Sequence, residues 1–128
     1  DTSSGVSQRQ TVWTMNALFS EDQLRQRMAF ALSQIIVIEP SNLVCGSWCN
    51  EIFIYFYDIL VRNALGNYRD ILREVAYNPR MGEMLTFVRN KSRGYLWHLL
   101  KKESHPDENF ARELMQLFTI GLVKLNLD

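Results

Sequence analysis

The sequence has neither a surplus of charge nor a long hydrophobic run, and both absences limit what the chain can do. Its 14 basic side chains balance 14 acidic ones, so the formal net charge at pH 7 is 0. A general nucleic-acid binder needs a basic surplus to displace counterions, so nucleic acid is not an expected partner. No apolar run approaches the roughly 20 residues that a membrane-spanning helix needs, so no transmembrane segment is predicted.

Residues that bind metals are also scarce, with two cysteines and two histidines in the chain. Cys45 and Cys49 are not accompanied by the second ligand pair that a structural zinc site needs. We expect the two thiols either to form a local disulfide, if the protein is exported, or to remain free. His98 and His105 belong to no compact motif of the His-Glu-x-x-His kind. The sequence therefore predicts no metal site and no cofactor.

Apolar residues recur at helical spacing along most of the chain, and this pattern predicts an all-α fold. We expect an irregular bundle of about six or seven helices in one domain that covers residues 1–128. The predicted helices span 7–19, 20–38, 51–65, 68–77, 79–88, 95–102 and 107–119, with a disordered tail at 1–6, a cysteine-containing loop at 39–50 and a basic loop at 89–94. The segment 51–65 is apolar on nearly all sides and is predicted to be the central helix.

Short polar residues mark several predicted helix starts. The segment from Ser20 to Gln23 has the form of a capping box, with Ser at the cap and Gln at the third position. Asn67 and Asn78 each precede an apolar helical pattern, and Pro79 suits a first helical turn.

The stretch from Ser104 to Gly121 carries the densest pattern. Ser104 or His105 is the expected cap, Pro106 fits the first turn, and Gly121 is a natural stop. The predicted polar face of this helix includes Glu108, Asn109, Arg112, Glu113 and Gln116. This face has three interpretations: a solvated surface, a set of buried anchors formed by Arg112 and Glu113, or a catalytic or ligand site.

Arg25 projects into the apolar arc of its predicted helix. A guanidinium on that side is costly unless it reaches water or a carboxylate. The sequence leaves both outcomes open, and the sharper hypothesis is an ion pair with Glu113 or Asp58. Asp58 can also pair with Arg62 along the central helix, because the two residues are four apart.

Four segments together resemble a known family. They are PDENFARELMQLFTIGL at 106–122 with Leu125-Asn126, DQLRQRMAFALSQI at 22–35, YDILVRNALGNYRDIL at 57–72 and NPRMG at 78–82. The resemblance is to the family called "domain of unknown function 1800", whose members are mostly bacterial, often exported and several times longer. It implies that this chain is a fragment or reduced form, and it favours export or an organellar lumen. The family has no established activity, so the resemblance transfers no catalytic residues.

The function expected from these observations is that of a non-catalytic structural or protein-binding subunit, with other protein chains of a larger assembly as partners. It rests on a neutral, aromatic-rich chain that has no nucleophile elbow, phosphate-binding loop or dinucleotide-binding glycine motif. The alternative is an enzyme, or a remnant of one, with its site on the helix at 107–119. Its candidate residues are Glu108, Asn109, Arg112, Glu113 and Gln116, supported by Arg25.

Overall fold

Seven α-helices account for most of the described chain. The computed structural model describes residues 2–39, 48–101, 103 and 105–121, with side chains from residue 8 in the first helix and from residue 51 in the third. The helices are α1 (Thr2–Phe19), α2 (Gln23–Ser33), α3 (Trp48–Asn63), α4 (Tyr68–Ala76), α5 (Pro79–Met84), α6 (Arg93–Leu100) and α7 (Asn109–Met115), followed by a π-helical turn (Gln116–Ile120). No strand occurs in these residues, and the predicted all-α domain is confirmed.

Helix α3 is central, as its apolar sequence predicts. Phe56, Ile59, Leu60 and Ala64 are buried on one face, because residues three or four apart share a side of a helix. Helix α3 packs against α1, α2, α4 and α5. Burying a large aliphatic or aromatic side chain contributes roughly 1.5–3 kcal/mol, so this face supplies much of the folding free energy. The buried apolar core is Ala29, Ile36, Ile38, Phe56, Ile59, Leu60, Ala64, Ile71, Val75, Met81, Leu85 and Phe118.

The predicted asparagine caps of α4 and α5 are confirmed. The Asn67 side chain accepts a hydrogen bond from the backbone N–H of Arg69 at 2.9 Å. The Asn78 side chain accepts from the N–H groups of Arg80 at 2.9 Å and Met81 at 3.3 Å. Such caps satisfy amides that the helix itself leaves unpaired, and each contributes about 1 kcal/mol.

The first helix is longer than predicted. Helix α1 begins at Thr2, so residues 2–6 are helical rather than a disordered tail. Thr, Ser and Gly near its start have low helix propensity, so the sequence pattern underestimated the length of this end.

Helix α2 is shorter than predicted and starts differently. Its cap residue is Asp22, which makes no side-chain capping bond, and the Gln23 amide donates to the Ser20 carbonyl at 2.9 Å. The predicted capping box is therefore wrong. The helix ends at Ser33 instead of near Ile38, because the chain turns there and buries Ile36 and Ile38 in the core.

The two predicted loops are only partly covered by the described residues. Most of the loop at 39–50 lies outside them, and so do Cys45 and the side chain of Cys49. The choice between a disulfide and free thiols therefore stays a prediction. The basic loop at 89–94 is shorter than expected, because Ser92 caps α6 by accepting from the Tyr95 N–H at 3.2 Å.

Gly82 is expected to tolerate no larger side chain. A Cβ at this position would lie 2.5 Å from Cγ2 of Val88, whose own N–H donates to the Gly82 carbonyl at 3.0 Å. Val88 is stiff about its first torsion and its backbone is held in place. We expect Gly82→Ala to lower the free energy of unfolding by about 1–3 kcal/mol, measured by urea denaturation.

Gly94 supplies the matched control, because a Cβ there meets nothing within 4 Å. Gly94→Ala should be neutral or stabilising by up to about 1 kcal/mol, since it improves helix propensity in α6. Equal effects of the two substitutions would contradict the packing described around Gly82.

Candidate functional site

The start of α7 is fixed by Asp107 rather than by Pro106. The Asp107 carboxylate accepts from the backbone N–H of Asn109 at 2.9 Å and so satisfies the first amide of the helix, while the cap residue, Glu108, makes no side-chain capping bond. The Asp107 N–H donates to Oδ1 of Asn90 at 3.0 Å, while Nδ2 of Asn90 donates to the Asp107 carbonyl at 2.9 Å. Helix α7 therefore begins at Asn109, two positions after the predicted start.

Thr86 also binds Asp107, and it does so in a backbone conformation that is unfavourable for threonine. Its hydroxyl donates to the second oxygen of the Asp107 carboxylate. Its φ of 61° lies in the left-handed region, which β-branched residues rarely occupy. The hydrogen bond from Thr86, followed by that from the Asn109 N–H, holds the pKa of Asp107 below its ordinary value.

The end of the predicted helix is a π-helical turn. The Gly121 N–H donates to the Gln116 carbonyl at 2.6 Å, five residues back. The Thr119 hydroxyl is within hydrogen-bond distance of the Leu114 carbonyl at 2.9 Å and the Met115 carbonyl at 2.7 Å. The predicted stop at Gly121 is confirmed, and its φ of 79° suits glycine.

Tyr68 attaches this turn to α4. Its hydroxyl donates to the Phe118 carbonyl, and burial raises the Tyr68 pKa. The Phe118 side chain points into the core with 6% exposure, whereas Ile120 is 81% exposed. The π-helical turn therefore buries the Phe118 side chain and leaves the apolar side chain of Ile120 exposed to solvent.

The predicted polar face divides into two groups. Glu108, Arg112 and Gln116 line an open groove of about 760 Å³, whose other described lining residues are Ala111, Met115, Ile120 and Gly121. Asn109 and Glu113 do not line this groove. Its described surface comes entirely from α7 and the π-helical turn, so among the described residues no second element closes a pocket around these side chains.

Arg112 is held by its own helix. Its Nη2 donates to Oδ1 of Asn109 at 2.7 Å, and its Nε lies 3.9 Å from Oε1 of Glu113. The side chain of Arg112 is 56% exposed, while that of Glu113 is 17% exposed. Glu113 is therefore partly buried and Arg112 exposed, and the contact between them lies within α7 and not with a neighbouring helix.

Arg25 does not join this group. Its Nη1 donates to the carbonyls of Val61 and Arg62, both at 3.1 Å, at the C-terminal end of α3. These carbonyls lie in the last turn of α3 at the negative end of the helix dipole, so a guanidinium is favourable there, and the Val61 carbonyl accepts in addition from the Ala64 N–H at 3.4 Å. Its ion pair is with Asp22, at 3.8 Å, and not with Glu113 or Asp58 as hypothesised.

Arg62 likewise has a different partner from the one expected. It forms an ion pair with Glu74 of α4 instead of Asp58 of its own helix. The Asn63 amide donates to the other Glu74 oxygen at 3.0 Å. The hydrogen bond from Asn63, and then the contact with Arg62, lower the pKa of Glu74. This cluster joins α3 to α4.

Arg80 is a residue whose position the sequence pattern did not reveal. It is 8% exposed, and its Nε and Nη2 both donate to the Glu39 carbonyl, at 3.0 and 2.9 Å. Its Nη1 lies 3.3 Å from a carboxylate oxygen of Glu83. The only local signal was a charged residue directly before the apolar Met81, and its partner is 41 residues away.

No group of three or more His, Cys, Asp or Glu side chains among the residues that the structure describes could hold a metal ion. None of the described helices combines the length and the apolar character needed to cross a bilayer.

We expect the Asp107 carboxylate to titrate below its ordinary pKa of 3.8 in an NMR experiment. Thr86→Val, which removes the hydroxyl and keeps the shape, should move that pKa upward, whereas Thr14→Val in α1 should leave it unchanged. Because the native pKa is lowered, the stabilisation from Asp107 is present above about pH 4 and is lost as the pH falls through the native pKa. The melting-temperature gap between wild type and Asp107→Asn should therefore shrink at low pH, and a constant gap would contradict this role.

The chain was compared with known families, curated proteins and solved structures. No curated protein and no solved structure shows significant similarity to it. The model of the family described as "Protein of unknown function (DUF1800)" matches residues 1–125, which include the four segments that carry the resemblance except for the final Asn126. The chain therefore belongs to the DUF1800 family.

Proposed function

We propose that this chain is a non-catalytic, protein-binding structural unit of a larger protein or assembly. The observation that carries the proposal is the state of α6. None of its eight residues is buried, although Tyr95, Trp97, Leu99 and Leu100 are large and apolar. Exposed fractions of these side chains run from 46% to 64%.

A helix of this length needs support from outside itself. Isolated helices shorter than about 12–15 residues are marginal in water, so most helical stability comes from packing an apolar face. The contacts that α6 makes at its start are the Ser92 cap, an ion pair at 2.7 Å between Arg93 and Glu103, and a cation–π contact of the Lys91 ammonium 5.3 Å from the Tyr95 ring centroid. A second protein surface that covered Trp97 and Leu100 would supply the missing apolar contact.

The outer face of α1 supports the same proposal. Val12, Met15, Leu18 and Phe19 share this face by helical periodicity, and they are 52–71% exposed. The opposite side of α1 packs on the bundle through Arg9 and Trp13. Exposed apolar patches of this kind mark protein-interaction sites on soluble domains.

The alternative function, an enzyme site on α7, is favoured by one observation. Glu108, Arg112 and Gln116 line the same groove, so a carboxylate, a guanidinium and an amide face one space. The two proposed functions differ in whether α6 is needed: a protein-binding unit uses its exposed apolar side chains, and an enzyme site on α7 does not. Substitutions in α6 should disrupt the binding of a partner protein, and they should leave small-molecule chemistry on α7 intact.

Native mass tests the proposed function. We expect the chain, purified gently from its own cells, to scatter light with a mass above the 15.0 kDa of one copy. Trp97→Glu combined with Leu100→Glu should return it to the single-chain mass, because charge on a buried apolar contact is costly. Tyr77→Glu is the matched control. Tyr77 is an exposed aromatic residue at the C-terminal end of α4, and this variant should keep the higher mass.

Circular dichroism at 222 nm should show the same helix content in both variants, which separates loss of binding from loss of folding. A wild-type chain that runs as a monomer, or an α6 variant that retains the higher mass, would contradict the proposal.

A further inference from the structure

A second cavity lies between α1, α2, α3 and the segment at 34–39 that follows α2. Its volume is about 670 Å³, within the range of small-molecule sites. Aromatic side chains from three helices form its walls. They are Trp13 of α1, Phe30 of α2, and Phe53, Phe56 and Tyr57 of α3.

The aromatic walls have a defined arrangement. The rings of Trp13 and Phe30 have centroids 5.4 Å apart and planes inclined by 51°. The indole N–H of Trp13 donates to the Tyr57 hydroxyl oxygen at 3.0 Å. This bond fixes the Trp13 ring against α3 and leaves the Tyr57 proton available to an acceptor.

Arg9 contributes a positive charge to this aromatic cavity. Its Cζ lies 5.1 Å from the centroid of the Phe53 ring, a cation–π contact. Its Nη1 is shielded from solvent and has no hydrogen-bond partner among the residues that the structure describes. A buried donor without a partner is rare in folded proteins and lowers stability. A ligand that supplied an acceptor to Nη1 would remove this cost. None of the described residues that line the cavity is acidic.

We propose that this cavity binds a planar aromatic molecule that carries a carboxylate. The aromatic walls hold the ring system, and the Arg9 guanidinium, which lines the cavity, rotates so that Nη1, shielded from solvent in this structure, donates to the carboxylate. Gln10, Thr14 and Gln34 are exposed polar residues of the same lining and form its rim. The site is independent of the α6 surface, so it would serve a protein-binding unit and an enzyme equally.

The test uses two probes of similar shape and different charge: 2-naphthoate and the neutral 2-naphthalenemethanol. Isothermal titration calorimetry on the whole chain should give about tenfold tighter binding of 2-naphthoate, as a charge-assisted hydrogen bond predicts. Arg9→Gln should abolish this preference. Arg69→Gln, at an exposed arginine of α4 outside the cavity, should preserve it.

A second variant tests whether the probes bind in this cavity, in case Arg9→Gln does not fold. Thr14→Trp places a large ring at the rim and should weaken the binding of both probes at least about tenfold by filling the cavity. Equal affinity for the two probes, no binding of either, or a charge preference that survives Arg9→Gln would each overturn the proposal.

Discussion

The double hydrogen bond from Arg80 to the Glu39 carbonyl holds together parts of the chain that no local pattern connects. It joins α5 to the end of the segment that follows α2. The Glu39 N–H also lies 3.3 Å from the sulfur of Met84, so both backbone groups of this residue are engaged by α5. A guanidinium in the interior is tolerated because each of its sides meets an oxygen.

The same interaction determines the shape of the aromatic cavity. Ile36 and Ile38 enter the core directly before Glu39. Val37 and Ile38 line the cavity. The position of Glu39 therefore fixes how closely this wall approaches Phe53 and Phe56 on α3. The close approach of Gly82 and Val88 joins α5 to the turn that follows it.

Local features of the fold could be predicted from the sequence, whereas long-range polar contacts could not. The Asn67 and Asn78 caps and the buried face of α3 follow from residue type and spacing over a few positions. The partners of Arg25 and Arg80 are carbonyls 36 to 41 residues away. Backbone carbonyls occur at every residue, so no sequence pattern distinguishes the ones that an arginine will reach. The candidate site shows the same limit, because periodicity placed Glu108, Arg112 and Gln116 on one side but could not show whether a second element closes over them.

The π-helical turn after α7 has a consequence for how this segment can vary. A turn closed from residue 121 to residue 116 contains one residue more than an α-helical turn over the same rise. Loss of Thr119 or Ile120, both exposed, would restore ordinary α-helical geometry, because the turn would then hold the α-helical number of residues. The two ends of the turn would keep nearly the same relative orientation, and Phe118 would stay at its position in the core. The π-helical turn is therefore a place where the chain can lose one residue without a change in which side chains face the core.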